Sequence, residues 1–156
     1  MTLTFLFVGA DRVGWLQDFE AEYLEKIQRY HRAEVVRLKP SRDERVNADL
    51  KKKGETEHLL SRIKDTDFLV VFDERGDSLS SVLFAKKMES WFNRGKSRLV
   101  FCVGGAFGFD DRLRARADVT ISLSGFVLNH HVAQAVVLEQ IYRAISIQKN
   151  LPYHNG

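Results

Sequence analysis

The amino-acid sequence predicts an α/β protein, a mainly parallel sheet flanked by helices. Three observations carry that reading. Short apolar or alternating runs recur between segments whose apolar residues repeat at helical spacing. Two of those runs, residues 68–72 (FLVVF) and 99–103 (LVFCV), are apolar throughout, as central strands covered on both faces must be. Three strand ends carry glycine-bearing loops, at residues 73–76, 104–108 and 124–130, and an open α/β sheet receives its ligand beyond such ends.

The elements follow in order. Residues 3–9 read as a buried first strand, too short for a membrane span and without the basic leader of a signal peptide. After a turn at residues 11–14, Leu16, Phe19, Tyr23, Ile27 and Tyr30 recur at helical spacing. A half-polar strand over residues 34–39 is ended by Pro40. A second helix closes on Leu59, Leu60 and Ile63, with Gly54 as a weak point inside it. The run 68–72 stops at Asp73, and a third helix starts near Ser80, placing Phe84, Met88, Trp91 and Phe92 on one face until Gly95 ends it. The second central strand, residues 99–103, leads into Gly104-Gly-Ala-Phe-Gly108 and a short charged helix over residues 110–117. Residues 119–124 alternate as a strand, break at Gly125, and pass through Phe126-Val-Leu128 into Asn129-His-His131. The last helix, from Val132 to about Asn150, is apolar on almost all sides, so more than one neighbour must cover it, a second subunit among them.

With 156 residues, no repeats and no linker, the chain reads as one domain over residues 1–156. The single cysteine, Cys102, lies inside an apolar strand and reads as core, and one thiol without a partner points to a reducing cytoplasm. A net charge of +3 and a basic stretch holding Arg37, Lys39, Arg42, Arg45, Lys51, Lys52 and Lys53 suit either a solvated face or a phosphate-backbone contact.

Several chemistries are excluded by pattern. The dinucleotide fingerprint is missing, since a first glycine would have to stand at Val103 and its loop follows a late strand. There is no P-loop lysine-serine pattern and no hydrolase elbow. Adjacent His130 and His131 point apart on a helix and make a poor metal pair, so no metal is expected. Glu139 and Arg143 stand at i, i+4 and suit a helix-stabilising pair as well as an RNA contact. Tyr153 and His154 suit a frayed terminus or, alternatively, a stacking platform for an extruded base.

Taken together, Val103-Gly-Gly105, Ser122-Leu-Ser124, His130, Leu138-Glu-Gln-Ile-Tyr-Arg-Ala144 and Pro152-Tyr-His154 resemble, in order and spacing, the SPOUT-class methyltransferases that modify a pseudouridine at N3 in large-subunit ribosomal RNA. The likeness covers essentially the whole chain. It implies an α/β-knot fold with a C-terminal trefoil knot, a homodimer, and S-adenosylmethionine bound bent in the knot. By position, the cofactor contacts would be Phe72, Gly104, Leu123, Ser124, Gly125, Phe126, Val127 and Leu128, and the substrate contacts His130, Arg143, Tyr153 and His154. The implied substrate is helix 69 of 23S rRNA in the assembled ribosome, with no membrane and no metal involved. The chain departs from the family pattern in four places. Gly104-Gly-Ala-Phe-Gly108 stands where Gly-Gly-Pro-Glu-Gly is frequent, and Asn129 where a proline is common. Gln134 and Asn155 stand where basic residues are usual, which takes positive charge from the expected RNA face.

A sulfonium methyl is already a strong electrophile, so the protein's task is to align it with the nucleophilic nitrogen and exclude water. The sequence names no catalytic base; His130 and His154 suit a base or a hydrogen-bonding positioner equally. Two other classes fit the pattern: another cofactor-binding α/β enzyme, and a non-catalytic RNA-binding or ribosome-assembly module.

Overall fold

Ten elements alternate along the chain: β1 (Thr2–Val8), α1 (Gly14–Gln28), β2 (Ala33–Leu38), α2 (Ala48–Ser61), β3 (Asp67–Ser78), α3 (Ser81–Phe92), β4 (Arg98–Val103), α4 (Asp111–Arg116), β5 (Val119–Ser122) and α5 (His130–Gln148). These come from a computed structural model that describes residues 1–9, 13–40 and 45–156. Asp11 and Arg12 of the expected turn, and Arg42, Asp43 and Glu44 of the basic stretch, lie outside the described residues. The five strands form one sheet in the order β2-β1-β4-β3-β5, with every pairing parallel.

The period of two along each strand divides the core between two faces. Leu3, Phe5, Phe7, Phe68, Val70, Phe72, Leu99, Phe101 and Val103 pack with Ile27 of α1, Phe84, Met88 and Trp91 of α3 and Val137, Leu138, Ile141 and Ile145 of α5. Leu6, Val8, Leu69, Val71, Val100 and Cys102 face the other way, onto Leu59 of α2 and Leu113 of α4. Each fully buried large side chain contributes about 1.5–3 kcal/mol relative to exposure. Cys102 is fully buried, and burial pushes its thiol pKa up to about 12, so it is an inert core residue.

Caps fix where the helices begin. Asn47, Ser80, Asp110 and Asn129 each accept a hydrogen bond from a first-turn backbone N–H, those of Leu50, Leu83, Arg112 and His131. Asn129 therefore starts α5 at His130, two residues before the expected Val132, and puts both histidines in the first turn. The broad apolar surface of α5 finds its partners inside the chain: it packs on α3, α1 and β4. Its burial therefore does not by itself call for a second subunit.

Two strand ends differ from the reading. β3 does not stop at Asp73: both Phe72 and Asp77 pair with Ile121 of β5, so residues 73–76 bulge out and the strand resumes beyond them. Gly76 makes that return possible, because a Cβ there would lie 2.5 Å from the Ile121 backbone nitrogen. β5 ends two residues early, at Ser122. The hydroxyl of Ser122 donates to the Ser124 carbonyl at 3.1 Å and the Phe126 N–H donates to the Ser124 hydroxyl at 2.9 Å, a local turn that competes with the ladder.

At the opposite end of the sheet, Asp67 is fully buried and accepts from Arg98 Nε at 3.0 Å, Arg98 Nη2 at 2.7 Å and the Lys64 N–H at 2.7 Å. Burial alone would raise its pKa; the Arg98 and Lys64 contacts outweigh this and hold it below the ordinary value. A depressed folded pKa contributes stability that is full above the unfolded value, about 3.9, and is lost as pH falls through the folded value. Asp67→Asn is expected to cost about 2 kcal/mol at pH 7, less than a fully buried pair because Arg98 is partly solvated. Urea melts at pH 7 and pH 3 should show the wild-type advantage shrinking in acid. An advantage of equal size at both pH values would show that the ion pair is not its source.

Candidate functional site

The parallel pairing brings the carboxyl ends of β3, β4 and β5 to one edge, and a cavity of about 370 Å³ opens there, within the range of small-molecule sites. Its floor is Phe72 and Val103; one wall is the loop 104–108 and the other is the run from Ser122 to Leu128, with His130 and Ala133 of α5 closing it. The glycine loop is a tight turn: the Gly108 N–H donates to the Gly105 carbonyl at 3.0 Å, and Gly108 takes a φ of +71°. A Cβ on Gly104 would lie 2.7 Å from Cδ1 of Phe109, and one on Gly105 would lie 2.9 Å from Cγ1 of Val8. The loop can therefore settle onto the core only without side chains at these two positions, and Ala106 and Phe107 are left at its exposed tip.

Of the residues expected around the cofactor, Phe72, Gly104, Leu123, Ser124, Phe126 and Leu128 line this cavity. Gly125 and Val127 are exposed and off its wall, because the turn at Ser124 faces them outward. Charged groups complete the site: the expected strand-end loop 73–76 and Lys52 of the basic stretch supply most of them, and Arg114 is the one the sequence reading missed. Asp73, on the β3 bulge, is ion-paired with Arg114 of α4, whose guanidinium also covers the Phe109 ring at 4.9 Å. Glu74, Arg75 and Lys52 stand at the mouth. Asp73 and Arg114 lie 41 residues apart, and no local pattern marks such a pair. Among the described residues, no group of three or more His, Cys, Asp or Glu is placed to hold a metal, and no helix is long and apolar enough to cross a membrane.

The expected substrate residues divide. His130 is on the cavity wall, half-buried, with its ring 4.0 Å from that of His131. Burial first, and then the neighbouring imidazole, depress its pKa below 6.5, so it is neutral at pH 7 and can accept a hydrogen bond. Arg143 lies further along α5, roughly 20 Å from His130 at 1.5 Å per residue. The tail stays with Arg143 rather than with its own chain's cavity. The Leu151 N–H donates to the Ser146 carbonyl at 2.9 Å and Asn150 adopts a φ of +54°, a helix stop that folds the tail back.

Tyr153 then shares a hydrogen bond with the Tyr23 hydroxyl at 2.9 Å and donates to Glu139 at 3.0 Å. Burial, followed by the Tyr23 and Glu139 hydrogen bonds, raises the pKa of its phenol, so the hydroxyl stays protonated. Arg143 pairs with Glu139 at 2.7 Å, contacts His154 Nδ1 at 3.0 Å and covers the Tyr153 ring at 4.8 Å. The terminus is thus docked on α1 and α5, not frayed. The reading of Glu139 and Arg143 as a helix pair is geometrically right, and Arg143 also serves the tail.

Two sequence expectations about charge need correction. Gln134 does not lie on an RNA face: it is fully buried, accepts from Arg37 at 2.7 Å and donates to the Val8 carbonyl at 3.0 Å. Arg37 itself is committed to Gln134, the Gly9 carbonyl and Glu20, so it is no loose phosphate contact. The reason is position: Gln134 faces the β1–β2 end of the sheet, where a buried backbone carbonyl needs a donor.

Comparison with known proteins agrees with this geometry. The family described as "Predicted SPOUT methyltransferase" matches residues 1–154. The chain is 43% identical over 141 residues to a "Ribosomal RNA large subunit methyltransferase H" of Bdellovibrio bacteriovorus, covering 90% of each. Relatives of the same name from Syntrophotalea carbinolica and Geobacter sulfurreducens are 35% identical over 155 residues and 37% identical over 156 residues. Each of those two alignments covers 99% of this chain; they cover 99% and 100% of the respective relatives. The cavity at the strand ends, the glycine loop and the whole-chain match lead to one conclusion: the chain belongs to the SPOUT methyltransferase family.

Proposed function

We propose that the chain transfers the methyl group of S-adenosylmethionine to N3 of a pseudouridine in helix 69 of 23S rRNA, in the assembled ribosome of the cytoplasm, as a homodimer with a C-terminal trefoil knot. The observation that carries this reading is the convergence at one cavity of the glycine loop 104–108 and the turn 122–128. The relatives' names supply the ribosomal RNA. The residues present fit the cofactor: Phe72, Leu123 and Leu128 offer apolar walls to an adenine, and Glu74, unlike the Arg114-paired Asp73, offers a carboxylate to a sulfonium.

When bound, S-adenosylmethionine supplies an electrophilic methyl group. The chain's own work is to orient and to exclude water. Gly104, Ser122, Leu123, Ser124, Phe126 and Leu128 would hold the cofactor, and His130, neutral at pH 7, would accept a hydrogen bond from the incoming base. No side chain is assigned as the base that removes the N3 proton.

The tail's distance from its own cavity supports a site shared between subunits, with Arg143, Tyr153 and His154 of one chain acting at the cavity of the other. Trp15, Phe126, Val127 and Val132 are exposed on or beside the adjoining starts of α1 and α5, an apolar patch suited to burial in a dimer. Sedimentation at micromolar concentration should give the mass of two chains, and calorimetry one S-adenosylmethionine per chain. A monomer that binds the cofactor would sink the shared site and leave the cofactor reading standing.

A further inference from the structure

One surface at the mouth of the cavity reaches beyond the cofactor contacts described above. Phe107, at the tip of the glycine loop, is 37% exposed, and the Lys51 ammonium of α2 sits over its ring at 5.0 Å. Lys52, the next residue of α2, and Arg75 of the β3 bulge stand on the same rim. Among the described residues, none of these three cations has a carboxylate within ion-pair distance. By contrast Arg112 and Arg114, on neighbouring α4, are both ion-paired. A phenyl ring with more than a third of its surface in water leaves apolar area open to a partner. Placed under one ammonium and beside two more, it has the composition of a site for a single-stranded nucleic acid, a flat stacking face with cations for the phosphates.

We propose that Phe107, Lys51, Lys52 and Arg75 form a docking rim for the single-stranded RNA that flanks the target nucleotide. Phe107 stacks a neighbouring base on the ring face not taken by Lys51, and the cations neutralise the phosphates on either side. The proposal rests on the RNA methyltransferase reading. The loop tip, Ala106-Phe107, carries no acidic side chain that would repel the phosphates.

Four proteins test it: wild type, Phe107→Ala, the double variant K51A/K52A, and Phe107→Trp as the conservative replacement. Each is titrated by fluorescence anisotropy with a labelled ten-nucleotide uridine-rich RNA over a range of salt, and by calorimetry with S-adenosylmethionine. Phe107→Ala should weaken RNA binding roughly five- to a hundred-fold with the salt dependence kept, and Phe107→Trp should restore it. K51A/K52A should flatten the slope of log K against log salt by about 0.7 for each phosphate that is no longer neutralised. RNA affinity should fall by more than cofactor affinity in Phe107→Ala and K51A/K52A, because Phe107 and Lys52 also line the cavity. If Phe107→Ala loses S-adenosylmethionine and not RNA, the ring covers the cofactor and the docking rim is overturned. Unaltered RNA binding in both variants overturns it as well. A wild type that binds neither probe would instead strike at the methyltransferase reading.

Discussion

Gly104→Val should lower affinity for S-adenosylmethionine at least a hundred-fold while the chain keeps its α/β circular dichroism. The Cβ would lie 2.7 Å from Cδ1 and 3.3 Å from Cε1 of Phe109. Phe109 cannot yield cheaply, because it is buried among Leu113, Val71 and Cys102 and covered by Arg114. Overpacking at such a site costs about 1–3 kcal/mol, and the softer response is for the loop 104–108 to lift. A lifted loop deforms the wall the cofactor needs, and the Phe109–Arg114–Asp73 contacts behind it. Gly125→Ala is the control, since nothing lies within 4 Å of a Cβ there, and it should bind within about threefold of wild type. Calorimetry on both variants decides the matter: wild-type affinity in a folded Gly104→Val protein would remove this loop from the site.

Removing residues 151–156 should abolish methyl transfer to ribosomes, by a hundred-fold or more, and spare cofactor binding. In its own chain the tail is held by Tyr23, Glu139 and Arg143, while the Glu139–Arg143 pair persists without it. Stability should fall by only about 1–2 kcal/mol, the worth of a few half-exposed hydrogen bonds. Tyr153→Phe sharpens the test: it keeps the ring and deletes the hydroxyl that joins α1 to α5. If the tail merely fastens those helices, both variants lose stability and keep transfer. If it serves the partner's cavity, the deletion loses transfer at a temperature where the fold is intact. Turnover of ribosomes with radiolabelled cofactor, read beside a melting curve, separates the two.

The sheet was legible because its strands are written in the simplest code. Runs such as Phe68–Phe72 and Leu99–Val103 have no polar side to expose, so they must be central and parallel. The glycine loop was legible for a similar reason, since two successive glycines after a buried strand mark a tight turn at the strand's carboxyl end; that the core behind it is what excludes their side chains was not. What stayed hidden depends on distant partners. The β3 bulge exists because Gly76 can lie against the backbone of Thr120 and Ile121, and β5 comes more than forty residues later. Gln134 looked like a surface residue until Arg37 of β2 and the Val8 carbonyl met it. Tyr153 suited a frayed terminus or a stacking platform, and its docking stayed hidden because its anchor, Tyr23, is 130 residues away. Local pattern states which face a residue shows; only the fold states what meets it there.

If this cavity serves methylation of one ribosomal nucleotide, the mass of 23S rRNA fragments, read by mass spectrometry, must depend on the protein. Helix 69 fragments from cells lacking the protein should be lighter by one methyl group at a pseudouridine, and wild-type protein with S-adenosylmethionine should restore the mass on ribosomes from those cells. Identical helix 69 masses with and without the protein would overturn the proposed function, whatever the cavity binds.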